Sequence, residues 1–433
     1  MTATLNVYLD QAILGKITFE GANDQYCLDY SPRWLAEGGF AVSPHLKPEQ
    51  CRSDVLKRFL ANLLPEGRWL EELSINTRVS RSNIFGLIAA LGAETAGALS
   101  FCLDGAAPEP LSTSFRPVSV GELTERIEKR QERSLVVWDG KPRLSVAGVQ
   151  EKLPILIMPD GAMGFGEGAL ASTHILKFGK ASDMHLVVNE FLCMELAGRV
   201  GLPVAEASLV RFGEPVLMVK RFDRHWAGSN RVHRVHLIDG CQILDLAPSF
   251  KYERPFGKGG DAAVIRSGAS LPKLFSACHM CRIPAVAIRD MLNWVLFQLI
   301  IGNSDAHGKN ISFFVGKGGI DVAPAYDLLS LDMYADNYDR DFALAIGDAF
   351  DPDDLSPWQL AEMCTECGLP QRLVSLTFSA MCETVIRCLD EHDLFDGLKE
   401  NEQAFASELL DRVRENARRL LAMSRELKRV NLH

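Results

Sequence analysis

The chain has 433 residues, enough for two or three domains at about 150 residues each, with 46 Lys and Arg against 56 Asp and Glu. A net charge of −10 excludes a bulk basic attraction to nucleic acid or an anionic membrane, leaving only a local basic face, and 47% hydrophobic against 24% charged residues excludes wholesale disorder. Eleven scattered cysteines make no small disulfide scaffold and fit a reducing compartment, and MTATLNVYLDQAIL lacks the basic and apolar regions of a signal peptide, so a cytoplasmic, soluble, multidomain protein is expected.

Residues 6–19 read as a strand, a turn near Asp10–Gln11 and a second strand. Val55, Leu56, Phe59, Leu60, Leu63 and Leu64 recur at helical spacing until Pro65 and Gly67 stop them. A further helix is expected from Ser82 as N-cap to Gly92. Pro108, Pro110 and Pro117 mark a connector, followed by a helix opened by Ser119 and Glu122 in capping-box spacing, with Val120, Leu123 and Ile127 on one face. From about residue 135 the texture turns to short strands, LVVW, LPILIM, HILKF and PVLMVKRF, interrupted by one helix at 188–199. After Gly240 the chain reads as mainly helical, with a buried helix at 285–301 and a strand pair, ISFFV and IDVAP, folding back across Gly316–Gly319. The most apolar stretch, Met291 to Gly302, contains Asn293 and Gln298 and is too short and too polar to span a bilayer, so no membrane partner is expected. The last helix, at 404–430, carries a stripe of Phe405, Leu409, Val413, Leu420 and Leu427. The expected organisation is a small mixed N-terminal subdomain at 1–105, a connector with a helix at 106–135, a sheet-rich part at 136–225 and a helical C-terminal lobe at 226–433.

The segment Asn303-Ser304-Asp305-Ala306-His307-Gly308-Lys309-Asn310 lies between the most apolar helix and a strand, where rigid elements hold a loop. Asp305 and Asn310 have the spacing D-x-x-x-x-N, in which a carboxylate faces an acceptor hydroxyl while the Asn ligates a metal bridging phosphates. Tyr326-Asp327-Leu328 follows the hairpin, and Asp327 there completes a Mg²⁺ site of hard oxygen ligands. The alternative is a plain turn, since Asp, Asn and Gly are common in turns. His307 organises the loop, contacts phosphate or is structural, and Lys309 is equally open.

Nucleotide-site candidates lie upstream. Ser145 through Lys152, SVAGVQEK, presents backbone N–H groups to phosphates or is a tight strand–strand turn, having a single glycine. Lys177 in THILK either snorkels to solvent or pairs with Glu190 on the following helix, as kinases do to hold a lysine on the phosphates. Val219-Lys220-Arg221-Phe222 is a strand end or an inter-lobe hinge for an adenine edge. Cys278/Cys281 and Cys364/Cys367 have zinc-ligand spacing within each pair, but buried free thiols are the expected reading. Arg412, Arg414, Arg418, Arg419, Arg425, Lys428 and Arg429 on the last helix are expected to form a solvated face.

SVAGVQEK at 145–152, THILK at 173–177, NE at 189–190, VKRFDR at 219–224, NSDAHGKN at 303–310 and AYDLLS at 325–330 together resemble the HipA family, and FLANLLPEG resembles its N-terminal subdomain. The resemblance implies an α+β, two-lobed protein-kinase-like fold and a bacterial Ser/Thr protein kinase, the toxin of a type II toxin–antitoxin pair. It implies Asp305 as catalytic base and Asn310 and Asp327 as Mg²⁺ ligands. For ATP it implies the loop residues Val146, Ala147, Gly148, Val149, Gln150 and Lys152, together with Lys177, Lys220, Arg221, Phe222, Gln242, His307, Lys309 and Tyr326. Autophosphorylation maps onto Ser145, where a phosphate of about −1.5 to −2 charges would repel ATP. The implied partners are a HipB-like dimeric helix-turn-helix antitoxin, operator DNA reached through it, and a protein substrate such as glutamyl-tRNA synthetase, whose modification favours persistence. Two other functions stay open at this point, a catalytically idle kinase-like corepressor and a small-molecule phosphotransferase. Leu328 in place of the Phe of D-F-G departs from eukaryotic kinases.

Overall fold

The structure, a computed structural model, describes residues 2–50, 52–92, 95, 97–104, 113–130, 132–135, 137–143, 150–180, 183–334, 336–391 and 394–432. The chain forms two compact units: unit 1 is 1–178, 210–238 and 314–319, and unit 2 is 179–209, 239–313 and 320–433.

Unit 1 opens with an antiparallel sheet ordered Gln25–Tyr30, Ala12–Glu20, Thr2–Leu9, Leu99–Leu103. Asp10, at φ 53°, makes the turn expected between the first two strands. The helix Ser53–Asn62 buries Val55, Leu56, Phe59 and Leu60, the stripe expected of it. Two further helices, Arg68–Thr77 and Ile84–Leu91, follow. The second begins one residue later than its expected cap: Asn83 Oδ1 accepts from Gly86 N at 2.9 Å, while the Ser82 hydroxyl is engaged with Ser80.

A six-stranded sheet follows, ordered Ala207–Phe212, Glu214–Lys220, His174–Phe178, Lys152–Ile157, Met163–Glu167, Ser114–Pro117. Pro117 therefore ends an edge strand, a position that tolerates a residue without an N–H, and is no connector. Ser119 caps the helix Val120–Glu128, whose Leu123 and Ile127 pack on the sheet with Leu153, Ile155, Leu176 and Phe178. Val120 is more than half exposed and leaves that face, against expectation.

His236, in unit 1, is buried with Nε2 on the Val42 carbonyl at 2.8 Å, and burial lowers its pKa to about 4. The folded protein holds this ring neutral, whereas the unfolded chain protonates it near pH 6.5. Between pH 6.5 and 4 the unfolded state binds the extra proton, so stability falls as pH falls through that window, by about 3 kcal/mol at most. Urea melts of the parent and His236→Gln from pH 7 to 4 should show a shallower slope in the variant; equal slopes would contradict this.

Unit 2 is mainly helical, with Leu186–Arg199, Leu271–Ala277, Pro284–Ile301, Pro357–Glu366, Gln371–Glu391 and Glu400–Leu427. Residues 244–270 depart from the helical expectation and run as turns and short 3₁₀ segments, as Pro248 and the glycines at 257, 259, 260 and 268 dictate. The helix Pro284–Ile301 has 18 residues and is long and apolar enough to cross a membrane, longer than the Met291–Gly302 stretch had indicated. Its apolar surface is met by protein instead, since Met291, Leu292, Val295, Leu296, Phe297, Leu299, Ile300 and Ile301 are all buried.

Both cysteine pairs match the buried-thiol reading. Cys278, Cys281 and Cys364 are buried and Cys367 half-buried, and burial pushes the Cys278 and Cys364 thiols up to about 12 and that of Cys281 up to about 11. Among the described residues no cluster of three or more His, Cys, Asp or Glu has a metal-binding arrangement. On the last helix Arg414 pairs with Asp390 at 3.4 Å and Arg425 with Glu383 at 2.8 Å, so acidic neighbours meet part of the basic face.

Candidate active site

The helix Pro284–Ile301 ends at Gly302, φ 68°, a left-handed cap that glycine adopts without strain. Its carbonyl accepts from Leu331 N at 3.0 Å and Asp332 N at 3.3 Å, which fastens the helix end to the segment following Asp327. A Cβ at Gly302 would lie 2.2 Å from Asp332 Oδ2. Gly302→Ala is therefore expected to destabilise unit 2 by about 2–3 kcal/mol, from the positive φ and displacement of the half-buried Asp332 carboxylate. A denaturant melt within 0.5 kcal/mol of the parent would refute that.

Directly after this cap, Asn303 is a buried organiser. Its Nδ2 donates to Gln298 Oε1 at 2.8 Å and to the Asp327 carbonyl at 3.3 Å, and its Oδ1 accepts from Asp305 N at 3.2 Å. One amide thus links the two acidic residues expected to do the chemistry. Tyr252 Oη donates to Asp305 Oδ1 at 2.8 Å, and the Tyr252 ring lies edge-on to His307 at 5.2 Å. Asp305 is half-buried, while His307, Lys309 and Asn310 are buried.

Burial, helped by the Lys251 ammonium, lowers the His307 pKa to about 3 and keeps the ring neutral. Its Nδ1 accepts from Lys309 N at 3.3 Å. Lys309 Nζ pairs with Asp239, which also caps the short helix Gly240–Ile243 through a reciprocal box with Gln242. Tyr326 Oη donates to the Lys309 carbonyl at 2.8 Å and shares a 2.7 Å contact with Ser312 Oγ, and burial pushes its pKa well up. The hydroxyl of Tyr326 thus braces the loop.

Asp327 has φ 55°, a left-handed conformation unusual outside glycine but tolerated by Asp and Asn. The preceding Ala325 is held in a parallel bridge with Val204, its N–H donating to the Pro203 carbonyl at 2.8 Å. Asn189, in Leu186–Arg199, makes two 2.8 Å hydrogen bonds to the backbone of Ser330. Together Asn310 and Asp327 offer an amide and a carboxylate oxygen, hard donors of the kind Mg²⁺ takes alongside phosphate oxygens. Among the described residues no protein group hydrogen-bonds the Asn310 side chain.

In unit 1, Lys177 and Lys152 are register partners on adjacent strands, and both are buried. Two like charges placed opposite each other repel. Arg221 is held by Asp223, through Nε to Oδ1 at 3.0 Å and Nη2 to Oδ2 at 2.9 Å, and its N–H donates to the Thr173 carbonyl. Burial would raise the Asp223 pKa, but Arg221 and Arg224 outweigh it and bring it down to about 2. Phe222 packs edge-on against Phe314 at 5.7 Å, and Lys220 is exposed. Glu190 is buried on its helix in unit 2 and Gln150 is half-buried in unit 1. Ser145, Val146, Ala147, Gly148 and Val149 lie outside the described residues. Sequence reasoning had missed Tyr252, Asp239 and Gln298, none of which stands in a recognisable motif.

Comparison with known proteins agrees with this architecture. The HipA N-terminal domain model matches residues 5–102, and the HipA-like C-terminal domain model matches 144–389. The serine/threonine-protein kinase toxin HipA of Shewanella oneidensis is 40% identical over 436 residues, covering 100% of this chain and 99% of that one. The chain belongs to the HipA family. A second relative, a protein of Sinorhizobium fredii named as kinase Y4mE, is 31% identical over 90% of this chain and 93% of its own. A solved complex of Shewanella oneidensis HipA, HipB and operator DNA contains a chain that matches with a TM-score of 0.90 and 40% identity, over 99% of this chain and 100% of that one. The α+β, kinase-like fold and the protein-serine/threonine kinase class follow from these matches.

Proposed function

We propose that this HipA-family chain is an ATP- and Mg²⁺-dependent serine/threonine protein kinase acting as the toxin of a HipB–HipA-like pair in the cytoplasm. The observation that carries the reading is the buried Asn303 amide, which ties the backbone of Asp305 to that of Asp327 within one polar network. In this reading Asp305 accepts the proton of the acceptor hydroxyl, while Asn310 and Asp327 hold Mg²⁺. The ion, when bound, neutralises charge on the phosphates. Lys177 and Lys152 are assigned to the phosphates together with the 145–152 segment, and Glu190 to ion-pair support. Backbone groups of Lys220–Phe222 take the adenine, with Gln242 beside it. Lys309, Tyr326 and His307 serve the nucleotide by bracing the loop. Catalysis is then mainly positioning and charge stabilisation.

Autophosphorylation at Ser145 switches the enzyme off by charge repulsion. Residues 1–105, 106–135, 136–225 and 226–433 form the proposed domains, the first of them supported by the family match at 5–102. A HipB-like antitoxin dimer and, through it, operator DNA are the proposed partners, supported by the complex in which the Shewanella relative was solved. The proposed substrate is an aminoacyl-tRNA synthetase, glutamyl-tRNA synthetase first, whose phosphorylation arrests translation and favours persistence. Phosphoproteomics of bacteria expressing the parent chain or Asp305→Asn tests this. Phosphoserine on glutamyl-tRNA synthetase is expected with the parent alone, and growth arrest without phosphate on any synthetase would reject the substrate.

A further inference from the structure

We propose that Tyr252 is a positioning residue of phosphotransfer, its phenol fixing the orientation of the Asp305 carboxylate. The inference rests on the reading of Asp305 as the base. The 2.8 Å contact from Tyr252 Oη to Asp305 Oδ1 is a hydrogen bond to a carboxylate, stronger and more directional than one between neutral groups. Asp305 is half-buried, and a directional bond on Oδ1 restricts rotation of a carboxylate that, as a base, has one productive geometry.

Tyr252 is itself held for this task, although its segment is irregular and 37% of the residue is exposed. On one flank the Lys251 carbonyl accepts from Gly308 N at 2.9 Å, and on the other Glu253 N donates to the Ala343 carbonyl at 2.9 Å. The buried Glu253 carboxylate accepts from Ala345 N at 2.8 Å and from Arg266 at 2.5 Å. Gly268 packs so closely that a Cβ there would lie 1.8 Å from the Tyr252 carbonyl oxygen. The ring meets His307 edge-on at 84° and has the Lys251 ammonium 5.4 Å from its centroid. Phe256 and Val264, four and twelve residues on, are 59% and 81% exposed.

The test uses the full chain and reads single-turnover transfer of the ATP γ-phosphate to the protein itself, with ATP affinity measured separately. Tyr252→Phe keeps the ring and its packing and removes only the hydroxyl. Transfer at saturating ATP is expected to fall about tenfold, with ATP affinity within twofold and an unchanged melting temperature. In an Asp305→Asn background the same substitution should have little further effect on residual transfer, since the phenol acts through that side chain. Unchanged transfer in Tyr252→Phe would make the phenol a bystander, and faster transfer would make it a block on the base. A loss that tracks weakened ATP binding would make its role structural. Each of these overturns the proposal. An Asp305→Asn variant as active as the parent overturns the base assignment, and this proposal with it.

Discussion

Asp305→Asn is expected to slow γ-phosphoryl transfer by about 10²–10⁴-fold, the range of a positioned general base, with ATP affinity changed by no more than a few fold. The substitution isolates proton acceptance. The amide oxygen still accepts from Tyr252, and the backbone N–H of residue 305 still donates to Asn303. The side chain keeps its volume and its half-buried place, but it no longer takes a proton from the acceptor. Rapid-quench measurement with radiolabelled ATP would settle the matter; a variant within threefold of the parent means that some other group is the base.

The second large effect is expected at Asp327. Asp327→Asn should raise the Mg²⁺ concentration for half-maximal transfer and lower transfer at fixed Mg²⁺ by about 100-fold or more, since a carboxylate ligand to the charge-neutralising ion is lost. Asn is the informative replacement because residue 327 has φ 55°, a conformation Asn tolerates as Asp does. The Asp327 carbonyl also keeps its hydrogen bond from Asn303. Asp327→Ala would add about 1 kcal/mol of backbone strain to the same loss and confound the two. Mg²⁺ titrations of both proteins decide it, and an unshifted Mg²⁺ midpoint would remove Asp327 from the metal site.

What was legible in the sequence is local. The loop from Asn303 to Asn310 stands out because a long apolar helix precedes it and a strand follows it, and each leaves its mark within a few residues. The two strands before residue 20 and the Ser119 cap are readable for the same reason. What was not legible arrives from a distance. Tyr252 reaches Asp305 across 53 residues, and Asp239 reaches Lys309 across 70. Neither partner has a periodicity or a spacing that announces it, and the segment carrying Tyr252 is fixed by backbone bonds to Gly308 and Ala343 rather than by secondary structure. Ser114–Pro117 was misread because its proline signals a connector, and only pairing with Met163–Glu167 shows it to be an edge strand. The family resemblance implied Lys309 and Tyr326 for nucleotide. In the fold the ammonium is paired with Asp239 and the phenol is bonded to the Lys309 carbonyl and Ser312.

Intact-mass spectrometry of the full chain after incubation with ATP and Mg²⁺ tests the central claim most directly, with EDTA and Asp305→Asn as controls. The account predicts one added phosphate on the parent, mapped to Ser145, and none on either control. No added phosphate on a parent shown to start unphosphorylated and to bind ATP would contradict phosphotransfer and leave a kinase-like subunit without catalysis.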